Sequence, residues 1–271
     1  MAYIYETHSH TSQASACGRV AGRDYIDYMQ KEGYNGMIIT DHFFNGNSAV
    51  PRDLPWKERV EMYVSGYEDA HAAAKGTDFN VMFGIEYNFE GDEYLIYGVD
   101  KKWLLDNGDI LDKSRKEVYK IVHQGGGIMV QAHPYRERDY LTSINLTPSI
   151  VDGIEIYNAA NDDNMNALGY CYAKELDVPM SAGSDIHFYY DGPKGGMRFE
   201  EKIETVQDYA KAFMERRGTP VMLFNGKVKP VEEFGSLRIP EHGPTFEVIN
   251  IDEKQRNDVI TTVNQTSLTE D

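Results

Sequence analysis

Residues 111–133 read LDKSRKEVYKIVHQGGGIMVQAH, and this stretch decides the fold. A helical pattern over residues 111–124 stops at the glycine run 125–127, which is a typical C-terminal helix signal. A short apolar run over residues 128–131 then predicts a buried strand that ends just before His133. The stretch therefore predicts a helix, a tight turn, and a strand that carries a histidine at its end.

The same alternation of helix-like and strand-like patterns continues on both sides of this stretch. Strand-like runs cover residues 2–5, 36–40, 80–85, 94–99, 153–157, 178–182 and 220–224, and helix-like patterns cover residues 21–32, 56–75, 165–176 and 206–217. Strands that alternate with helices indicate βα units and a parallel sheet, and about seven such units suit a barrel. We therefore predict an α/β barrel over residues 1–225. Residues 226–271 are predicted to be a C-terminal extension that packs on the barrel, with a strand over 245–251 and a flexible tail near 264–271.

The composition predicts a cytoplasmic globular enzyme. The chain has 271 residues, of which 41% are hydrophobic and 26% are charged, and its net charge is −17. Such an acidic surface repels polyanions, so we expect no stable nucleic-acid complex, although bound divalent cations would let an acidic pocket accept a small phosphorylated substrate. Two cysteines suit a reducing compartment, and neither a secretion signal nor an apolar run of about 20 residues indicates export or a membrane.

The histidines are concentrated at predicted strand ends. Five of the eight follow a predicted strand directly, and three acidic residues occupy equivalent positions: His8, His10, His42, His133 and His187, with Asp41, Glu86 and Asp185. The C-terminal ends of barrel strands meet on one face, so these side chains are predicted to converge. Imidazole and carboxylate together suit zinc, manganese or iron, and a carboxylate can bridge two ions. The pattern therefore predicts a metal site.

Five ordered motifs resemble those of the PHP (polymerase and histidinol phosphatase) family. They are His8-Ser9-His10-Thr11, Ile39-Thr40-Asp41-His42, Gly84-Ile85-Glu86, Ala132-His133-Pro134 and Gly183-Ser184-Asp185-Ile186-His187. The resemblance covers about residues 1–225 and implies a distorted seven-stranded (β/α) barrel that holds two or three divalent metal ions (Zn, Mn or Fe). It also implies ligand sets: His8, His10, Glu86 and Asp185 for the first ion; Glu86 and His133 for the second; His42 and His187 for the third.

The sequence departs from the family pattern at two places. Trinuclear members carry a further His or Asp shortly after the first motif, whereas residues 13–16 here read Gln-Ala-Ser-Ala. Cys17 lies next to this segment and is either a replacement ligand or a small buried thiol. Members also often carry a His on the strand after the bridging Glu. Tyr94 stands near that position, so Tyr94, Glu93 or a water is expected to take its place.

The predicted reaction is hydrolysis of a phosphate ester by a metal-bridging hydroxide, as the resemblance implies. Asp41, Arg136 and Asp185 are the candidate catalytic residues. Asp41 is expected to orient His42, and Arg136 either clamps the phosphate or forms an ordinary loop ion pair with Glu137 or Asp139. Glu155 either hydrogen-bonds inside the barrel or lines the site, and residues 43–55 are predicted to form a loop over its mouth.

Three other functions agree with parts of this pattern. An amidohydrolase also uses His-x-His on a barrel, but typically has a carboxylated Lys where this chain offers Glu86. A phosphodiesterase or nuclease acting on short nucleic acid would use the same metal chemistry, and the net charge of −17 disfavours it. A non-catalytic metal-binding module is the third alternative. The candidate substrates of the favoured phosphomonoesterase are nucleotides, sugar phosphates and histidinol phosphate.

Overall fold

The computed structural model of the chain describes residues 2–251 and the backbone of residues 260–263. The strands are β1 (Tyr3–Glu6), β2 (Gly36–Ile39), β3 (Asn80–Phe83), β4 (Ile85–Phe89), β5 (Asp92–Tyr97), β6 (Ile128–Gln131), β7 (Ser143–Leu146), β8 (Gly153–Asn158), β9 (Met180–Gly183), β10 (Lys194–Phe199), β11 (Thr219–Phe224), β12 (Lys227–Pro230), β13 (Glu247–Ile251) and β14 (Ile260–Val263). The α-helices are α1 (Tyr25–Lys31), α2 (Trp56–Tyr63), α3 (Ser65–Ala74), α4 (Lys101–Asp106), α5 (Arg115–Gln124), α6 (Asp163–Leu176) and α7 (Val206–Met214). None of the helices in the described ranges is long and apolar enough to cross a bilayer.

The strands form three sheets. A six-stranded sheet has the order β12-β11-β10-β1-β2-β3, a five-stranded sheet has the order β4-β5-β6-β8-β9, and β7, β13 and β14 form a small third sheet. The parallel pairs β1–β2, β2–β3, β6–β8 and β8–β9 confirm the predicted α/β class. Two isolated parallel bridges, Ser9–Ile186 and His42–Glu86, connect the two large sheets.

The predicted seven-stranded barrel is not formed as one closed sheet within the described residues. The strand β10, which was not predicted, runs antiparallel to β1 and occupies the edge that a closing strand would need. On the other side, the chain bends at Gly84 between β3 and β4, where an added Cβ would lie 2.9 Å from a methyl group of Thr40. The strands are therefore divided between two sheets that meet at the ends where the motifs lie.

Local signals set most of the element boundaries. A capping box at Ser114 and Glu117 starts α5 later than predicted, and α5 ends at Gly125 as expected. The single helix predicted over residues 56–75 is two helices that meet at Val64. The elements α4 and β7 were not predicted.

The start of the predicted C-terminal extension continues the six-stranded sheet. The strand β12 pairs with β11, and β13 pairs in parallel with β7, so this segment contributes to two sheets. The domain boundary at residue 225 stays a prediction. The predicted flexible tail, residues 264–271, lies outside the described residues.

Candidate metal centre

The side chains of the five motifs meet where the two large sheets join. Their ligand atoms form groups in which all atoms lie within 4.8 Å of one another: His8, His10 and Asp185; His8, Glu86 and His133; His10, His42 and His187; and His42, Glu86 and Glu93. All seven predicted metal ligands are therefore placed together. The eighth residue, Glu93, was one of the alternatives expected to replace the family histidine on the strand after Glu86.

Glu86 lies at the middle of this cluster. Its Oε1 is 3.0 Å from Nε2 of His8 and 3.2 Å from Nε2 of His133. Its Oε2 is 2.5 Å from Nδ1 of His42 and 3.5 Å from Nε2 of His10. Since each oxygen faces a different pair of histidines, the carboxylate would suit the bridging role that the resemblance implies.

The cluster contains buried polar atoms whose hydrogen bonds are not made. Among the described residues, these buried atoms have no hydrogen-bond partner: His8 Nε2, His10 Nε2, His42 Nδ1, Glu86 Oε2 and Asp185 Oδ1. Each of these atoms lies 2.5–3.5 Å from at least one of the others, in contacts that do not have hydrogen-bond geometry. Buried polar groups are nearly always paired, and lone pairs directed into one space suit a cation. The residues present therefore fit the divalent ions that the motifs imply.

Electrostatics at the centre separates the two histidines of the first motif. Burial lowers the pKa of His10, and the neighbouring His42 and His187 lower it further, well below its usual value. Burial acts in the same direction on His8, but Asp185, Glu155 and Glu86 outweigh it and raise the pKa of His8 well above its usual value. Without a cation, His8 is therefore expected to carry the proton that balances these carboxylates.

Glu155 positions His8 and is a contact that the sequence left open. Its Oε1 lies 2.9 Å from Nδ1 of His8, and its Oε2 accepts hydrogen bonds from the backbone N–H of His133 at 3.0 Å and from Asn158 at 3.0 Å. A carboxylate on Nδ1 fixes the tautomer and leaves Nε2 free as a metal ligand. Glu155 therefore does not line the opening; it orients a ligand.

Arg136 contacts the centre through Asp185. Its Nη2 donates to Oδ2 of Asp185 at 2.6 Å and to Oδ1 of Asn158 at 2.9 Å, and its Nε donates to Asn161 at 2.8 Å. Burial raises the pKa of Asp185, but His8, Arg136 and His10 hold it well below its usual range. The ion pair of Arg136 is thus made with a predicted metal ligand, and not with the loop residues Glu137 or Asp139 that were expected as the alternative.

The expected contact between Asp41 and the ring of His42 is wrong. Asp41 accepts hydrogen bonds from the backbone N–H of Thr11 at 2.6 Å, the hydroxyl of Thr11 at 2.7 Å and the hydroxyl of Ser15 at 2.7 Å. Ser15 Oγ lies 3.1 Å from Nδ1 of His10. Asp41 therefore orients His10 through Ser15, because the loop after the first motif folds back between the two residues.

Glu93, and not Tyr94, takes the position of the histidine that family members often carry on the strand after the bridging Glu. The hydroxyl of Tyr94 points away from the centre and hydrogen-bonds to Asp92 and Thr147. Alternation along β5 turns Glu93 to the opposite side. There, its carboxylate is 3.5 Å from Nε2 of His133 and 3.7 Å from Nδ1 of His42.

The backbone is strained at two predicted ligands. His133 has φ of 29° and Asp185 has φ of 54°, a region that residues other than glycine seldom adopt. Near them, a Cβ added to Gly183 would lie 2.5 Å from Cβ of His8. The strand end that presents Asp185 therefore approaches the first motif closely enough to require glycine.

The predicted loop over the mouth is partly core. Phe43 and Phe44 are buried in the main hydrophobic cluster, whereas residues 45–49 lie nearer the surface.

Tyr189 packs on Tyr28 with ring centroids 4.6 Å apart, and its hydroxyl donates to the backbone of Asp24. These contacts hold the Tyr189 side chain against α1.

No family model and no curated protein matches the sequence. Among solved structures, the chain is similar to a two-domain protein from Bacteroides vulgatus that contains a predicted PHP-like metal-dependent phosphoesterase (TM-score 0.65, 15% identity, 95% of this chain and 73% of that chain). It is also similar to PsfC from Pseudomonas syringae (TM-score 0.52, 15% identity, 83% and 92% of the two chains). A third similar structure is a candidate metal-dependent phosphoesterase from Bifidobacterium adolescentis (TM-score 0.50, 15% identity, 78% and 96% of the two chains). At the level of the fold, these structures confirm the PHP resemblance that the motifs predicted.

Proposed function

Since the chain shares the fold of PHP-like proteins, we propose that it is a metal-dependent phosphoesterase that hydrolyses a small phosphomonoester. One observation carries the proposal: the ligand atoms of five separate motifs converge in one space, and five of these buried atoms, from four of the motifs, lack hydrogen-bond partners among the described residues. A structural metal site is usually closed by four protein ligands, whereas this cluster of eight side chains exceeds what one closed site needs.

The ligand sets that we propose are those that the family resemblance implies, with Glu93 added to the second because its carboxylate lies 3.5 Å from Nε2 of His133. His8, His10, Glu86 and Asp185 would hold one ion. Glu86, His133 and Glu93 would hold a second, and His42 and His187 belong to a third position. When bound, such ions activate a water at neutral pH and neutralise charge on the phosphoryl oxygens.

The residues around the ligands have separate tasks. Glu155 keeps the proton of His8 on Nδ1, which leaves Nε2 available for a cation. Arg136 holds Asp185 ionised and fixes the direction of its carboxylate. Burial of the cluster lowers the local dielectric and strengthens each of these interactions. The chain thus holds the ligands in position before substrate binds.

Charge favours a small substrate over a polynucleotide. The net charge of −17 repels a long polyanion, and a track of basic side chains would be needed to offset it. A single phosphate group requires only the ions and a local cation. Nucleotides, sugar phosphates and histidinol phosphate all meet this requirement.

The test combines elemental analysis of the purified protein with turnover of p-nitrophenyl phosphate. We expect two or three ions per chain, and turnover that is lost on chelation and restored by zinc or manganese. Asp185→Asn should lose turnover, whereas His242→Asn, which changes an exposed histidine, should retain it. One ion or none, with no turnover under any added metal, would reject the phosphoesterase and favour a non-catalytic module. Turnover of bis-p-nitrophenyl phosphate alone would favour a phosphodiesterase.

A further inference from the structure

Cys17 is held beside the outer histidines of the centre by the backbone on both sides of it. The N–H of Ala16 donates to the carbonyl of Asn47 at 2.9 Å, and the N–H of Arg19 donates to the carbonyl of His187 at 2.8 Å. Gly18 permits the close turn between them, because a Cβ there would lie 2.3 Å from the carbonyl oxygen of Thr11. The position of the thiol is therefore set by the fold.

The thiol of Cys17 contacts both outer histidines. It is half-buried and within hydrogen-bond reach of the rings of His42 and His187. The other cysteine, Cys171, is also half-buried, but its Sγ lies 3.5 Å from the carbonyl oxygen of Arg238, away from the centre. Of these two half-buried thiols, Cys17 contacts the histidine cluster and Cys171 does not.

The histidines at this place show independent features of a ligand site. Ring nitrogens of His10, His42 and His187 lie within 4.8 Å of one another. His10 is wholly buried, and its Nε2 has no hydrogen-bond partner in the described part of the chain. The ring centroid of His10 lies 4.3 Å from that of His42 and 4.2 Å from that of His187, so the ring of His10 packs closely against both of the others. Each ring also lies 2.5–3.5 Å from a carboxylate: His42 from Glu86, and His10 and His187 from Asp185. Imidazoles and carboxylates can share such a space when a cation accepts their lone pairs.

We infer that Cys17 is a metal ligand that joins His42 and His187 in a Cys-His-His set at the third position. This inference rests on the proposed metal centre. Binding forms one metal–sulfur bond and releases the thiol proton to solvent, with no change of oxidation state. A thiolate is a soft ligand, so this position favours zinc or cobalt over manganese, unlike the positions built from imidazole and carboxylate. Three protein ligands also leave a coordination position open.

Cobalt reports on the sulfur ligand directly, because a thiolate bound to Co²⁺ gives a charge-transfer band in the near ultraviolet. The test is to load the metal-free protein with Co²⁺ and record the spectrum together with the number of ions per chain. The wild-type protein and Cys171→Ser should both show the band. Cys17→Ser should lose the band and one ion per chain while keeping the remaining ions. Cys17→His should regain the lost ion without the band, which a merely structural role of Cys17 would not produce.

The outcomes separate this inference from the proposed function. If Cys17→Ser keeps both the band and the full number of ions, Cys17 is not a ligand, whatever the enzyme does. If the wild-type protein binds several ions but never shows the band, the inference is also rejected, although the phosphoesterase proposal stands. If the wild-type protein binds no ion at all, both fail. Circular dichroism of each metal-free variant shows whether the substitution has disturbed the fold.

Discussion

Replacing Glu155 by Gln tests whether the carboxylate outside the ligand cluster orients His8. All three groups that contact the carboxylate are donors: His8 Nδ1, the backbone N–H of His133 and the side-chain amide of Asn158. Gln offers one oxygen and one NH₂ group at the same positions. If the NH₂ group faces His8, the proton must move to Nε2, which can then no longer bind metal. If it faces the other side, it meets two donors, and both hydrogen bonds are lost.

Either arrangement has a calculable cost. Loss of a hydrogen-bonding partner that orients a metal ligand typically lowers metal affinity about 10–100-fold, which corresponds to about 1.4–2.7 kcal/mol. A buried donor left without a partner costs about 1–3 kcal/mol of stability in addition. We therefore expect Glu155→Gln to bind its tightest ion at least about tenfold more weakly, and to unfold at a lower urea concentration when metal-free.

The assay is competition for Zn²⁺ against a fluorescent chelator of known affinity. Glu175→Gln makes the same chemical change at an exposed position of α6 and serves as the matched control, with wild-type affinity expected. Unchanged Zn²⁺ affinity in a folded Glu155→Gln protein would refute the proposed tautomer control. Weakened affinity in the control as well would assign the effect to net charge.

Three further results are expected. Arg136→Lys should lower the turnover of p-nitrophenyl phosphate about 10–100-fold at saturating metal. The planar guanidinium of Arg136 holds Asp185, Asn158 and Asn161 at once, and a single ammonium cannot; unchanged turnover would show that Arg136 does not position Asp185. Asp41→Asn should cost about 1–3 kcal/mol in urea denaturation, because three hydrogen bonds to a charged carboxylate would be replaced by weaker ones to a neutral amide; a stability equal to wild type would show that the charge adds nothing. Gly183→Ala should lose tightly bound metal, since the new Cβ would lie 2.5 Å from Cβ of His8, and full metal content in a folded variant would contradict that steric argument.

Most of the candidate ligands were predictable because they lie within four residues after the end of a strand, with Glu86 inside β4 as an exception. A strand with a polar residue directly after its end is a local pattern, and β1, β2, β6 and β9 all show it. The convergence of these ends then follows from parallel pairing, which the alternating helices and strands also predict. Glu93 was harder to assign because the boundary of β5 decides whether Glu93 or Tyr94 faces the centre.

The positioning contacts and the sheet division could not be predicted in this way. His8 and Glu155 are 147 positions apart, and Arg136 and Asp185 are 49 apart, so no local pattern joins either pair. The glycine-rich strand β10 has little β propensity of its own and is stabilised by pairing with both β1 and β11. Because β10 was not predicted, its pairing along the edge of β1 was not predicted either. The barrel was therefore expected to close.

Because the strands are divided between two sheets, ions bound at the proposed metal centre would also hold the two sheets together. His8, His10 and His42 follow strands of the six-stranded sheet, whereas Glu86, His133 and Asp185 belong to the five-stranded sheet or follow its strands. The first and third proposed positions take ligands from both sheets, at the junction that Ser9–Ile186 and His42–Glu86 already bridge, whereas the ligands of the second all belong to the five-stranded sheet. An ion at one hundred times its dissociation constant stabilises the folded state by about 2.7 kcal/mol. In a protein of this size, two such ions correspond to a rise in Tm of roughly 10 °C or more. Chelation should therefore lower the Tm by this amount. In the metal-free protein, the ends of β1 and β9 should open first, and hydrogen exchange would detect this as faster exchange of their backbone amides.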